Sequence, residues 1–149
     1  MENTICFNTK FGWISGTELK NKIISVQFNK VKRKGSISKP LKKLKYEINR
    51  FLRGKSINIK IPIKTFGNPK QRRVWKELRK IKKGKTKSYK EISKKLKISP
   101  RYVGRICGQN RHVLVIPCHR VIRSNGSLGG FSANGGINLK KRLIKFENQ

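Results

Sequence analysis

The sequence predicts an α+β fold: a small antiparallel sheet with one helix, followed by a mainly helical part that contains a helix-turn-helix. Three observations lead there. Short β-rich stretches separated by polar turns crowd the N-terminal end, apolar residues recur at helical spacing in later segments, and a stretch holding Gly67 and Pro69 divides the two patterns. At 149 residues the chain is long enough for one ordinary domain or two small ones.

Residues 4–8, 12–17 and 23–28 read as the strands of the sheet. Ser38 is placed as an N-cap with Pro40 in the first turn, and Leu41, Leu44, Ile48, Phe51 and Leu52 follow at helical spacing until Gly54. Residues 57–61 are expected to add one more strand, and residues 65–69 a linker. Beyond it, Val74, Trp75, Leu78 and Ile81 stripe a helix over 71–83, ended near Gly84. Ser88 and Glu91 form a capping-box pattern that opens a second helix, with Ile92 and Leu96 inward. Ser99 and Pro100 open a third, whose apolar side is Tyr102, Val103 and Ile106. Its other side carries Arg101, Gly104, Arg105 and Gly108 at i, i+3, i+4 and i+7, a face both small and cationic. Packed on the short helix before it, that face suits a DNA groove in helix-turn-helix fashion; an ordinary solvated face fits the same residues.

Residues 112–116 are nearly all apolar and stop at Pro117, which favours extended backbone before it, so a buried strand is expected to deliver Cys118. His119 and Arg120 follow directly. Positive neighbours favour the thiolate, the reactive form of cysteine, whereas Cys6 and Cys107 read as small hydrophobes. In the last helix Leu139, Leu143 and Phe146 form the apolar stripe, and Glu147 lies beside it at i+4 from Leu143. A carboxylate there needs a partner, for which His119 or Arg120 serves; a solvated acid at a frayed end is the alternative.

Composition narrows the function classes. Against 39 Lys plus Arg stand 6 Glu and no Asp, a formal net charge of +33, which points to a polyanionic partner bound with strong salt dependence. Part of the Lys excess is open to a compositional origin, since the chain is also rich in Ile and Asn and holds a single Ala. So few acids argue against carboxylate-based metal catalysis, and three cysteines without CxxC spacing signal neither a disulfide framework nor a zinc site. No apolar run approaches the roughly 18 residues of a membrane helix, and the N-terminus lacks a secretory pattern. An intracellular, cytoplasmic protein, nucleoid-associated if prokaryotic, is expected.

The run Val115-Ile116-Pro117-Cys118-His119-Arg120-Val121-Ile122 resembles the O6-alkylguanine-DNA alkyltransferases, also called methylated-DNA-protein-cysteine methyltransferases. Further similarity runs through Gln71-Arg72-Arg73-Val74-Trp75, Gly84-Lys85-Thr86, Ser88-Tyr89, Pro100-Arg101-Tyr102-Val103-Gly104, Asn110, Gly129 and Gly135-Gly136. It covers residues 66–149, expected to be the DNA-binding and alkyl-transfer domain with a winged-helix-like helix-turn-helix. Residues 1–65 match only in element order, which in the family belongs to a ribonuclease-H-like domain.

The resemblance implies that Cys118 accepts the alkyl group and that His119, reached through a bridging water and oriented by Glu147, takes the thiol proton. It implies that Tyr89 protonates the departing base. Arg101 matches the arginine that enters the stack when the nucleotide flips out, Tyr102 and Gly104 lie on the DNA-facing helix, and Asn110 braces a turn. Backbone groups of Cys118 and Val121, with the side chain of Ser132, would read the guanine edge, and Arg120 is structural. The expected substrate is double-stranded DNA bearing O6-alkylguanine, with O4-alkylthymine as a second lesion, for a monomer that acts once and needs no metal or cofactor; cooperativity along DNA stays open. Departures from the family's pattern fall at Arg111 and Val113, where prolines are usual, at Phe131, often a tyrosine, and at Ala133 and Asn134, which lengthen a loop. They bear on the alkyl pocket. Competing readings are a noncatalytic lesion binder, a helix-turn-helix regulator and a thiol hydrolase.

Overall fold

The structure, a computed structural model, describes residues 1–149. The chain forms two compact units, Met1–Thr65 with Arg111–Val115, and Phe66–Asn110 with Ile116–Gln149. No helix is long and apolar enough to cross a membrane.

The first unit is a three-stranded antiparallel sheet in the order β1 (Asn3–Thr9), β2 (Gly12–Leu19), β3 (Lys22–Gln27). The β2–β3 connection is a two-residue turn, Lys20 and Asn21, with both φ positive at 49° and 67°. This is the primed turn that matches the twist of a hairpin, and the Glu18 carboxylate accepts the Asn21 N–H at 3.0 Å. Helix α1 (Lys39–Leu52) starts with proline in its first turn and buries Leu41, Leu44, Ile48, Phe51 and Leu52, the expected stripe. It lies so close to β2 that a Cβ on Gly16 would collide with a Leu44 methyl.

Two expected strands are not formed. At residues 57–61 the alternation is present, with Ile59 and Ile61 buried, but no ladder follows. Pro62 has no N–H to donate, and pairing with β3 is confined to a bridge in which Ile23 donates to Pro62 O at 3.0 Å and accepts from Lys64 at 2.9 Å. At residues 112–116 burial is as expected, yet only His112 bridges to Val26. The chain then turns sharply: Leu114 has φ +69°, and Val115 N–H reaches Val113 O at 2.8 Å across it, a three-residue turn in the strained left-handed region.

The second unit contains α2 (Pro69–Leu78), β4 (Lys87–Ser88), α3 (Tyr89–Leu96), α4 (Pro100–Gly108), β5 (Val121–Ile122) and α5 (Gly136–Glu147). Asn68 and Gln71 form a reciprocal capping box on α2, and Ser88 and Glu91 do so on α3. The first helix is shorter than its apolar stripe. After Leu78 the bonds tighten to i+3, with Ile81 N–H on Leu78 O at 3.0 Å, and Ile81 is still buried. Lys97, left-handed at φ 58°, ends α3; Ile98 is buried, and Ser99 caps α4 through the Tyr102 N–H. Strands β4 and β5 pair in parallel, Lys87 with Val121 and Ser88 with Ile122.

Candidate active site

Cys118 sits at the start of a single 3-10 turn, Cys118–Arg120. Pro117, at φ −80° and ψ 65°, is the centre of a tight turn in which Cys118 N–H bonds Ile116 O at 2.8 Å. Asn110 holds this corner from the end of α4: its amide donates to Ile116 O at 2.8 Å and to Cys118 Sγ at 3.1 Å. The thiol is therefore delivered by a braced turn instead of a strand end.

Behind it lies a buried charge cluster. Glu147 Oε2 accepts from His119 Nε2 at 2.8 Å, while Arg120 clasps both carboxylate oxygens at 2.8 Å and donates its remaining amino group to Ile81 O at 2.7 Å. Both candidate partners of Glu147 are engaged at once, and the carboxylate is buried at a helix end where a frayed acid was the alternative. Burial works to raise the Glu147 pKa, but the bonds from His119 and Arg120 outweigh it and hold it at about 2. For His119 burial lowers the pKa against the pull of Glu147, so the ring is neutral. An ionised carboxylate only accepts, so the proton of that neutral ring sits on Nε2. Nδ1 is left as a buried lone pair without a protein partner.

The sequence-based expectation that His119 and Arg120 stabilise the Cys118 thiolate is corrected. Both are committed to Glu147, and burial pushes the Cys118 pKa up. Among side chains, the influences in the other direction come from the Asn110 amide and from Lys140. Lys140 is fully buried on α5, and its ammonium donates to Val121 O at 2.6 Å, Gly130 O at 3.1 Å and Tyr89 OH at 3.4 Å, with no carboxylate among these partners. Sequence reasoning missed it. The available signal was position: Lys140 precedes Glu147 by two helical turns and shares its face.

In front of Cys118 opens a cavity of about 750 Å³. Tyr89, Arg101, Gly104, Phe131 and Ser132, named from the resemblance, line it, together with Cys107, read as a small hydrophobe, and Arg123, which the sequence did not single out. Burial first, and repulsion from Cys107 and Cys118 wherever these are ionised, pushes the Tyr89 phenol up to about 12, so it keeps its proton. Gly129, at φ +73°, lets the loop pass where a Cβ would stand 3.1 Å from the Tyr89 ring. Ser132 Oγ donates to Gly108 O at 3.0 Å. Two expected residues stand off the cavity wall. Val121 is buried, with its carbonyl taken by Lys140, and Tyr102 instead accepts from Asn68 at 3.3 Å with Lys70 over its ring.

These features define a class: a protein with a thiol braced at the base of a cavity, backed by a neutral histidine on a buried carboxylate and walled by an arginine-bearing helix. A family profile described as the DNA binding domain of 6-O-methylguanine DNA methyltransferase matches residues 69–149. The chain is 37% identical over 142 residues to a methylated-DNA-protein-cysteine methyltransferase of Sulfolobus acidocaldarius, covering 95% of this chain and 90% of that one. In fold it is similar to the O6-methylguanine methyltransferase of Mycobacterium tuberculosis, with TM-score 0.88 and 25% identity over 99% of this chain and 93% of that one. A structure of the Mycobacterium tuberculosis protein in complex with DNA matches with TM-score 0.85 and 26% identity, over 97% and 92% of the two chains. The chain belongs to the 6-O-methylguanine DNA methyltransferase family.

Proposed function

We propose that the protein reverses alkylation damage in double-stranded DNA by moving the alkyl group of O6-alkylguanine, and of O4-alkylthymine, onto its own Cys118. The observation that carries this reading is the Cys118 thiol held by Asn110 at the cavity, next to a neutral His119 locked on Glu147. The thiol proton passes through a bridging water to His119 Nδ1, and Lys140 offsets the charge that develops on sulfur. The thiolate attacks the alkyl carbon, the S–C bond forms as the C–O bond breaks, and the electron pair leaves with the guanine. Tyr89, whose phenol keeps its proton, donates to the departing base. The thioether has no leaving route, so each molecule acts once.

Arg101, exposed at the mouth of the cavity, fills the stack when the nucleotide flips out, and α3 with α4 binds the groove as a helix-turn-helix of winged type. Ser132 and backbone groups of Cys118 and Val121 read the base. Residues 66–149 thus supply DNA binding and transfer in a monomer, and residues 1–65 a ribonuclease-H-like support. Incubation with an oligonucleotide containing O6-methylguanine, followed by peptide mass spectrometry, tests this. Stoichiometric methylation of Cys118, abolished in Cys118→Ala, is expected; demethylated DNA with unlabelled protein, or repeated turnover, would overturn it.

A further inference from the structure

The first unit has a cavity of its own, of about 340 Å³, within the range of ligand pockets, which start at about 300 Å³. Its construction follows from the chain leaving β3. That segment crosses the outer edge of β1, where Lys34 exchanges two backbone hydrogen bonds with Thr4 at 2.8 and 3.1 Å and Ser36 N–H bonds the Asn3 side chain at 3.0 Å. Opposite, α1 presents Lys42, Lys45, Tyr46 and Asn49 at i, i+3, i+4 and i+7, on the flank of its core stripe. Between strap and helix the buried Ile5 and Leu41 form the floor.

Two properties of this cavity need an occupant. Ile37 and Tyr46 stand 43% and 60% exposed on its walls, beside an apolar floor. Arg33, Lys42 and Lys45 ring it, all exposed, and no carboxylate lines it. An apolar hole inside a ring of unneutralised cations is complementary to a ligand that is both anionic and apolar. Duplex DNA offers the charge but nothing to fill the hole. An unpaired base would find only Asn49 and the Tyr46 hydroxyl as neutral hydrogen-bond partners over an aliphatic floor, and the one aromatic on which it could stack, Tyr46, already has the Arg50 guanidinium 5.7 Å from its ring centroid. A peptide offers both properties, through an apolar side chain as anchor and flanking carboxylates for the rim.

We propose that this cavity is a docking site for an acidic peptide segment of a partner protein, anchored by one aromatic or large aliphatic side chain. The site brings its own reporter: Cys6, half-buried, lines the same cavity.

The test uses the full chain and a fluorescein-labelled hexapeptide, Glu-Glu-Asp-Asp-Leu-Phe. Its counterpart ends in Ser-Ser, and a labelled oligothymidylate serves as the nucleic-acid arm. Fluorescence polarisation at near-physiological salt gives affinities, and maleimide labelling of Cys6, read on its tryptic peptide, gives occupancy. One-site binding of the Leu-Phe peptide with slowed Cys6 labelling is expected, and the Ser-Ser peptide should bind roughly tenfold more weakly. Lys42→Glu and Ile37→Asp, both at exposed positions, should each weaken the Leu-Phe peptide by roughly tenfold and leave alkyl transfer unchanged. Equal binding of both peptides would reduce the site to unspecific charge. Displacement of the peptide by oligothymidylate with protection of Cys6 would make it a nucleic-acid surface. Affinity unchanged in both variants, or no saturation up to about millimolar peptide, would also overturn the proposal.

Discussion

Replacing Glu147 with glutamine removes one charge at nearly constant shape from a carboxylate that accepts three hydrogen bonds, one from His119 and two from Arg120. A glutamine has one oxygen to offer, so its NH2 must face a donor, and the buried Arg120 guanidinium loses the carboxylate it clasps. Breaking a buried pair in this way costs about 3–5 kcal/mol. At about 2–4 °C per kcal/mol for a chain of this size, the melting midpoint of Glu147→Gln should drop by roughly 6–20 °C. The linkage agrees. Glu147 is held at about 2 from an ordinary 4.5, so its contribution is present above pH 4.5 and lost as pH falls through its folded value. A depression of this size corresponds to about 3 kcal/mol. Catalysis should suffer separately, because His119 loses the acceptor that fixes its proton on Nε2, and general-base assistance is worth about 10²–10⁴-fold. Single-turnover transfer from an O6-methylguanine duplex, measured below the variant's midpoint, reads this loss. Wild-type transfer by a folded variant would refute the His119–Glu147 relay, and an unchanged midpoint would refute the energetic reasoning.

Because burial lowers the His119 pKa, the acid limb of the transfer rate should have its inflection below the ordinary histidine value of 6.5; an inflection above 7 in a pH–rate profile would mean the ring is not held neutral. Lys140→Met keeps the buried volume and deletes the cation facing Cys118, and should slow both transfer and iodoacetamide labelling of Cys118 by about tenfold or more, the latter separating thiolate stabilisation from DNA binding. Gly129→Ala puts a Cβ 3.1 Å from Tyr89 at a φ of +73°, and should destabilise by about 1–3 kcal/mol in chemical denaturation while also slowing transfer. Arg101→Ala should impair repair in duplex DNA far more than reaction with an alkylguanine free base; equal losses on both would reject its role in the stack.

Most of the scaffold was legible because local rules decide it. The α1 stripe, the Ser88–Glu91 capping box and the Ser99 cap of α4 all follow from spacing and cap chemistry within one turn. Residues 57–61 and 112–116 misled for a common reason: alternation and apolarity report burial, whereas a strand also needs a ladder partner. Pro62 in one segment and the turn at Leu114 in the other prevent it. At the site, the position of Glu147 beside its stripe pointed to a partner, but not to the bidentate grip of Arg120 that leaves the histidine only one oxygen. Lys140 was invisible by residue type, since lysine at a helix flank reads as solvated; full burial on two carbonyls and a phenol depends on a loop whose path no local rule specifies.

The cavity holds two thiols, and their difference bears on how a buried cysteine could serve as the proposed nucleophile. Burial pushes both up, Cys107 to about 12, so neither is a ready thiolate and burial does not distinguish them. What separates them is bonding. Cys118 receives the Asn110 N–H at 3.1 Å, a donor that strengthens as negative charge grows on sulfur, and its chain neighbour is a neutral imidazole with a free lone pair on Nδ1. Cys107 lies within the hydrogen-bonded body of α4, and among side chains only the Lys140 charge favours its ionisation. A thiol kept protonated at rest and ionised only as its proton is drawn away is protected from adventitious oxidants and alkylators, which attack thiolates. Under the proposed transfer, a raised Cys118 pKa is compatible with function as long as a base can draw the proton away, and the His119 ring, one residue along the same 3-10 turn, keeps Nδ1 without a protein partner for that step.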